Sequence, residues 1–518
     1  MRWRRIRPPS VPICWNACRP RLRPRLPLGI IDFAMSCHDH PTSHADCGPA
    51  APAAIDASCR APGLLLLGSG LVWLVLATLT GVLASLNFHK PSLLADCTFL
   101  TYGHLKSVSG AAFLFGFGGN AVFALTLWLL ARLRSVELRL PLAAALGGVI
   151  WNVGVTAGAV GILQGDATGY EGLDLPLYAL RMLIAGGALL ALCAVVTYAA
   201  RAQAELYPSL WYILAGLVVL PVALVTIYYA LGVEPVRGVA QATANWWAVS
   251  VLRNVWLGSA ALAAVFYFVP KLVETPLHSR QLAGLGFWGL LIFGGWAGAH
   301  AGAPVPVWII KMSAFASVMM IFPLLAVLWN IHRTVGGNAI LMSQDITLSY
   351  IGFALLCFLL AGVGAVLQPL HNVTTHFTLF TVALRDLWGY GFFAMTVLGA
   401  IVYITPRLVG RDWAGCGCLR GNFKMATAGV LLMVIPQLFG GWMQGGALNN
   451  ATLAYANLPA KALMTLRVAF IGEVVLLVAA VMALINFARL VLPSCCGCCN
   501  PIEIFRMFKG IKPPGGAA

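Results

Sequence analysis

Charged side chains inside long apolar stretches are the residues of this chain best placed to do chemistry. Arg253, Asp386 and Glu473 lie deepest in such stretches, and Arg385 and Lys311 belong to the same set. An ionisable side chain is costly within a lipid bilayer, so it tends to face the bundle interior or to mark an ion or proton path. At about 1.5 Å per residue, Arg253 and Asp386 fall at nearly the same depth. We hypothesise that they form a buried ion pair.

Histidine and cysteine provide a second group of candidates, for metal binding. His300 ends the otherwise apolar run from Phe287, but one imidazole does not hold copper tightly, since a site needs several convergent donors. Six thiols, in the runs GCGC and CCGCC, could converge on zinc, copper or an iron–sulfur cluster. They are Cys416, Cys418, Cys495, Cys496, Cys498 and Cys499. The alternative is that these cysteines are incidental small residues at the membrane interface.

Composition identifies the class of molecule that positions these residues. Of 518 residues, 60% are hydrophobic and 10% are charged, and the mean hydropathy is +0.85. Soluble domains carry about a quarter charged residues, so this balance indicates a multi-pass membrane protein in contact with the lipid bilayer. The net charge of +16 lies in short loops and the N-terminal region, and therefore does not indicate nucleic-acid binding.

Apolar segments long enough to cross a bilayer recur along the chain and predict an all-α bundle of twelve transmembrane helices. We place them at 63–86, 106–131, 140–163, 177–199, 208–231, 246–270, 281–303, 307–331, 348–369, 378–405, 424–447 and 464–491. Residues 1–62 are basic and proline-rich and are expected to be a disordered tail. Met35 is an alternative start to Met1. Residues 63–492 form the membrane domain, and 493–518 form a cysteine-rich tail.

Lysine and arginine are concentrated in one of the two sets of loops. That set contains Arg132, Lys271 and Arg407, whereas the opposite set contains the acidic run GDATGYEGLDLP. Because cytoplasmic loops are enriched in basic residues, both termini are expected to be cytoplasmic.

Several short motifs occur in a fixed order along these segments. They include FGGNA at 117–121, GYEGLDLP at 169–176, NWW at 245–247, YFVPK at 267–271, WAGAH at 296–300, THFT at 375–378, ITPRL at 404–408 and GGWMQG at 440–445. The order resembles subunit I of the C-family (cbb-type) heme–copper oxidases. This resemblance implies a twelve-helix bundle with three pores that house two hemes and one copper. It also implies a bacterial inner membrane and cytochrome c-type or other respiratory subunits as partners.

The family's metal ligands are six histidines, and the resemblance carries their positions onto other residues here. The heme ligand of the second segment falls on Ser109, and the copper ligand of the sixth falls near Ser250 to Arg253. The adjacent pair of the seventh becomes His300 and Ala301, and the two heme ligands of the tenth fall on Leu384 and Asp386. We expect heme and copper to be absent or altered, with the Arg253–Asp386 pair filling the space.

Four functions are compatible with this pattern. The first is a cytochrome c oxidase subunit I-like protein, whose family role is heme- and copper-dependent dioxygen reduction with proton translocation, degenerate here because the metal ligands are missing. The second is a non-catalytic assembly or partner subunit of a respiratory complex. The third is a nitric oxide reductase-like protein, which also needs heme histidines. The fourth is a proton or anion transporter that uses Arg253, Asp386 and Glu473.

Overall fold

A computed structural model of the chain describes most of the membrane domain. It covers residues 50–93, 96–200, 206–299, 303–336, 342–343, 345–413, 415–454 and 458–496. Within these ranges the secondary structure is helical, without strands. The all-α fold class expected from the sequence is therefore confirmed.

Twelve successive helices carry the chain back and forth, and eleven of them are long and apolar enough to cross a membrane. The remaining one, α7, is shorter. The bounds are α1 Pro52–His89, α2 Tyr102–Arg134, α3 Pro141–Leu163, α4 Leu177–Ala199, α5 Pro208–Val233, α6 Val239–Val273, α7 Arg280–Phe293, α8 Val307–Thr334, α9 Ile346–His371, α10 Leu379–Val409, α11 Cys416–Leu448 and α12 Leu458–Cys496.

Several boundaries differ from the sequence expectation, among them the start of the eleventh helix, which lies at Cys416 and not at 424. The first helix begins at Pro52, so residues 52–62 belong to α1 and not to the preceding tail. Pro52 is the first helical residue, a position where its fixed φ and missing N–H are tolerated. The sixth helix begins at Val239, before the expected start at 246. The seventh ends at Phe293, whereas we expected it to continue to 303.

Small residues set the helix contacts of the bundle. A Cβ on Gly186 of α4 would lie 2.8 Å from the backbone nitrogen of Trp151 on α3, and one on Gly429 of α11 would lie 2.9 Å from that of Leu476 on α12. Gly472 of α12 approaches the backbone at Met433 of α11 equally closely. Membrane helices pack through such residues because glycine lets two backbones meet.

A buried polar cluster fixes the basic end of the bundle, which we define by Arg132, Lys271 and Arg407. Trp128 Nε1 donates to Asp56 Oδ1 over 2.9 Å, and Arg132 Nη2 contacts Asp56 Oδ2 at 3.0 Å. Asp56 is 7% exposed and Trp128 is 1% exposed. The cluster therefore ties the first turn of α1 to the last turn of α2.

Candidate functional site

A large cavity lies at the end of the bundle opposite the basic end. Its volume is about 1230 Å³, above the roughly 300–1,000 Å³ that is common for small-molecule sites. Its walls come from α1, α2, α6, α10, α11 and α12, together with the loop that follows α3. Phe88, Tyr102 and Leu448, from the ends of three helices, line its mouth. We call this space the central cavity.

Three of the helices that line the central cavity change from α to π geometry beside it. The π segments are Ala112–Gly118 in α2, Val251–Leu257 in α6 and Leu387–Ala394 in α10. Each contributes residues to the cavity wall, among them Phe113, Arg253 and Trp388. A π turn inserts an extra residue and redirects the side chains that follow, and such turns occur frequently at functional sites.

Two of the positions to which the resemblance assigns ligands face this cavity, and a third faces away. Ser109 and Asp386 line it, on α2 and α10. The Ser109 hydroxyl donates to the Ala77 carbonyl over 2.8 Å, which joins α2 to α1. Leu384 is 8% exposed and packs against Gly364 on α9. Leu384 and Asp386, two residues apart, therefore face opposite sides of α10.

The hypothesis that Arg253 and Asp386 form an ion pair needs correction. Within the described residues, the ion-pair partner of Asp386 is its neighbour Arg385, with 3.6 Å between Nε and Oδ1. Arg253 lines the same cavity and lies close enough to both residues to be influenced by their charges, but no carboxylate of the described chain lies within 4.0 Å of it. The π segment of α6 turns Arg253 toward the cavity space, which the side chains do not fill.

Glu473, the other deep carboxylate of the apolar segments, also lines the cavity. Ser85 of α1 lies close to its carboxylate, and Lys106 of α2 is an attractive charge nearby. The Oε2 atom of Glu473 is buried and has no hydrogen-bond partner among the described residues. This carboxylate therefore retains unused acceptor capacity at the cavity wall.

The acidic loop after α3 covers one side of the cavity. Ser107 Oγ donates to Asp174 Oδ1 over 3.0 Å, which fastens the loop to the first turns of α2. Burial raises the pKa of the Asp174 carboxyl above its usual value, although the hydrogen bond from Ser107 acts in the opposite direction. Glu171, in the same loop, lies near Arg253 without reaching ion-pair distance.

Sequence reasoning missed Gln437 and Lys106, which also line the cavity. Gln437 lies on α11, is 3% exposed, and its Oε1 has no hydrogen-bond partner among the described residues. A glutamine in the apolar run LLMVIPQLFGG was a usable signal, because a polar side chain at membrane depth requires a partner. Lys106, near the start of α2, resembles an ordinary helix-end lysine in sequence.

The other candidates lie elsewhere or outside the description. Lys311 is exposed in the first turns of α8 and does not contribute to the cavity, so its assignment to the buried charges is corrected. His300, Ala301, Cys498 and Cys499 lie outside the described residues, as do the side chains of Cys495 and Cys496. Cys416 and Cys418 begin α11, at the basic end. Metal binding by the six thiols stays a prediction, to be tested by metal analysis of a cysteine-to-serine variant.

The donor set around the central cavity does not fit the histidine ligation that the resemblance implies. Among the described lining residues the imidazole is that of His376, near the mouth, while Ser109 and Asp386 occupy two ligand positions. A hydroxyl and a carboxylate on facing helices are not the axial nitrogen pair that the resemblance assigns to these positions. The copper-ligand region presents Arg253, a permanent cation that does not coordinate metals.

The family model described as cytochrome c and quinol oxidase polypeptide I matches residues 61–475, and the chain belongs to that family. This places it in the heme–copper oxidase subunit I family, as expected from the motifs.

Two curated relatives and one solved structure are similar to this chain. The cbb3-type cytochrome c oxidase subunit CcoN1 of Stutzerimonas stutzeri is 25% identical over 404 residues, which cover 74% of this chain and 84% of the relative. Cytochrome c oxidase subunit 1 of Rhodobacter capsulatus is 25% identical over 397 residues, 72% of this chain and 73% of the relative. A heme–copper terminal oxidase dimer solved by cryo-electron microscopy matches with a TM-score of 0.69 at 14% identity, covering 84% of each chain. The structural match supports the fold alone.

Proposed function

We propose that this protein is a catalytically degenerate oxidase subunit I that serves as a non-catalytic partner or assembly subunit of a respiratory complex. It acts in a bacterial inner membrane with both termini in the cytoplasm. The named relatives are oxidase subunits, which supports a role within a multi-subunit assembly. The basic end of the bundle carries Arg132, Lys271 and Arg407, which supports its cytoplasmic orientation.

One observation carries this proposal: the chemistry of the side chains that face the central cavity. Ser109, Arg253 and Asp386 stand on three of the four helices to which the resemblance assigns metal ligands. A neutral hydroxyl, a guanidinium and an ion-paired carboxylate are poor substitutes for neutral imidazoles at iron or copper. Dioxygen reduction through this set is therefore not supported, and the nitric oxide reductase alternative needs the same donors.

The transporter alternative has less support from the geometry. A transport path would have to continue from the central cavity to the basic end. There Trp128 stacks on Phe268 with 6.3 Å between ring centroids, and Tyr403 packs against Phe268 at 5.0 Å. All three side chains are buried. These buried aromatic contacts at the basic end favour a binding or scaffold role over a transport path.

Optical and metal analysis of the full chain tests the proposal. The protein would be purified in a mild detergent beside one of the similar oxidase subunits expressed in the same cells. We expect no stoichiometric heme in the reduced-minus-oxidised spectrum, no stoichiometric copper, and no dioxygen consumption with reduced cytochrome c. The similar subunit shows that the cells supply both cofactors. Two hemes per chain would contradict the proposal, and co-purified respiratory subunits without heme would support the partner role.

A further inference from the structure

Three polar groups that face the central cavity lack partners within the described part of the chain. Gln437 Oε1 and Glu473 Oε2 are both buried, and neither accepts a hydrogen bond from the described residues. The guanidinium of Arg253 has neither an ion pair within 4.0 Å nor a hydrogen bond to the described residues. All three side chains line one cavity, and unpaired polar groups at such depth are costly unless a ligand or ordered water satisfies them.

Among the described cavity residues, Arg253 is a cation that no ion pair occupies. Asp386 is held by Arg385, and Asp174 accepts from Ser107. Glu473 has Lys106 as its nearby cation. A guanidinium presents a rigid fork of donors that matches carboxylate and phosphate oxygens in a bidentate manner. The wall at Arg253 is therefore suited to an oxyanion.

Apolar and aromatic surface lies directly beside this cation. Phe113 packs against Tyr390 with 4.7 Å between ring centroids, and both residues line the cavity together with Leu257 and Trp388. A small inorganic anion would leave this surface in contact with water. A ligand with an apolar body would bury it, at a gain of about 25 cal/mol per Å².

We propose that the central cavity binds an amphiphilic oxyanion whose carboxylate or phosphate pairs with Arg253 and whose apolar body packs on Phe113 and Trp388. A hydroxyl or amine N–H on the ligand donates to Gln437 Oε1. The cavity mouth at Phe88 and Tyr102 gives access from the end of the bundle opposite the basic end. Two sources share this chemistry: a membrane phospholipid and a free long-chain carboxylate.

Native mass spectrometry of the purified full chain in a neutral detergent tests this site. The probes are didecanoyl phosphatidylglycerol, laurate, neutral didecanoylglycerol and inorganic phosphate. We expect phosphatidylglycerol or laurate to bind with one-to-one stoichiometry and didecanoylglycerol to bind at least about tenfold more weakly. Stronger binding of phosphatidylglycerol assigns the site to a lipid headgroup, and stronger binding of laurate assigns it to a free carboxylate.

Variants separate this site from lipid that surrounds any membrane protein. Arg253→Gln should weaken oxyanion binding by about tenfold or more, and Gln437→Leu should weaken phosphatidylglycerol but not laurate, which has no donor for it. Arg333→Gln changes an exposed arginine at the far end of α8 and should leave binding unchanged. Size-exclusion profiles report folding, and Arg253→Lys retains the charge if Arg253→Gln does not fold.

Several results would overturn the inference. If the neutral and anionic probes bound equally, Arg253 and Gln437 would recognise no ligand. The same conclusion would follow if Arg253→Gln and Gln437→Leu both left binding unchanged. Inorganic phosphate that binds as tightly as the amphiphiles would remove the role of the apolar wall. Stoichiometric heme would fill the space and would also contradict the proposed function, whereas a heme-free protein that binds none of the probes would overturn this inference alone.

Discussion

Replacing Arg253 by methionine is expected to stabilise the protein, which is an unusual result for removing a charged residue. The guanidinium lies beside Arg385 and Asp386, which carry opposite charges. At an effective dielectric constant near 20 and at separations beyond ~4 Å, each such interaction amounts to at most about 4 kcal/mol. Because the two act in opposite directions, they largely cancel. What remains is the cost of holding the guanidinium away from bulk water.

That cost sets the size of the effect. Burial of an ion in a dry interior costs several kcal/mol, and the central cavity reduces this figure because it opens at one end. Methionine retains the contacts of the arginine stem, so little packing is lost. We therefore expect Arg253→Met to raise the free energy of unfolding by about 1–3 kcal/mol.

Thermal unfolding in detergent, followed by size-exclusion chromatography after heating, measures the change. Asp386→Ala is the companion variant, and it should be destabilised because Arg385 loses its carboxylate. If Arg253 and Asp386 were a true ion pair, Arg253→Met and Asp386→Ala would both lower the midpoint, and the double change Arg253→Met with Asp386→Leu would recover part of the loss. A lower midpoint for Arg253→Met refutes the reasoning.

Three further outcomes are expected. Asp56→Ala leaves the buried Trp128 N–H without its acceptor and should lower thermal stability by about 2–4 kcal/mol. Gly119→Ala would place a Cβ 2.6 Å from the ring of Trp151, and differential scanning should show a loss of about 1–3 kcal/mol. Burial raises the pKa of Asp174 above 3.8, so its ionisation opposes folding as pH rises through that value. Asp174→Asn should therefore be at least as stable as wild type at pH 7, with an advantage that disappears below pH 3.8 in pH-dependent melts.

The helices could be predicted because segment length and apolar content are imposed by the bilayer thickness. The end of α7 could not be predicted in this way, since FWGLLIFGGWAGA is apolar throughout. The deciding contacts come from α6: Asn254 Nδ2 donates to the Gly294 carbonyl over 3.0 Å, and Ser250 Oγ donates to the Ala297 carbonyl over 3.2 Å. These donors satisfy carbonyl groups beyond the end of the helix, and no local pattern reveals them.

Several residues of the candidate site could be predicted from the sequence, but the ion pairs that they form could not. A charge in an apolar segment stands out in the sequence, and Asp386 and Glu473 do line the cavity. Whether two side chains pair depends on the directions in which they point. An estimate of depth from the helical rise assumes that these directions follow 3.6 residues per turn. The π segments of α6 and α10 break that periodicity immediately after Ser250 and Asp386. Equal depth therefore did not bring Arg253 within ion-pair distance of Asp386.

The bundle can hold this cavity whatever residues occupy the positions to which the resemblance assigns ligands, because the contacts that define the helix positions lie elsewhere. The glycine contacts between α3 and α4 and between α11 and α12, and the Asp56 cluster at the basic end, involve none of these assigned positions. An apolar void of this size would be costly, whereas a cavity lined by charges and open at one end is stabilised by water or by a polar ligand. Arg253, Gln437 and Glu473 make the cavity polar enough to hold water or a ligand. Arg253 is itself costly to bury, and its guanidinium gives the cavity the capacity to bind an oxyanion.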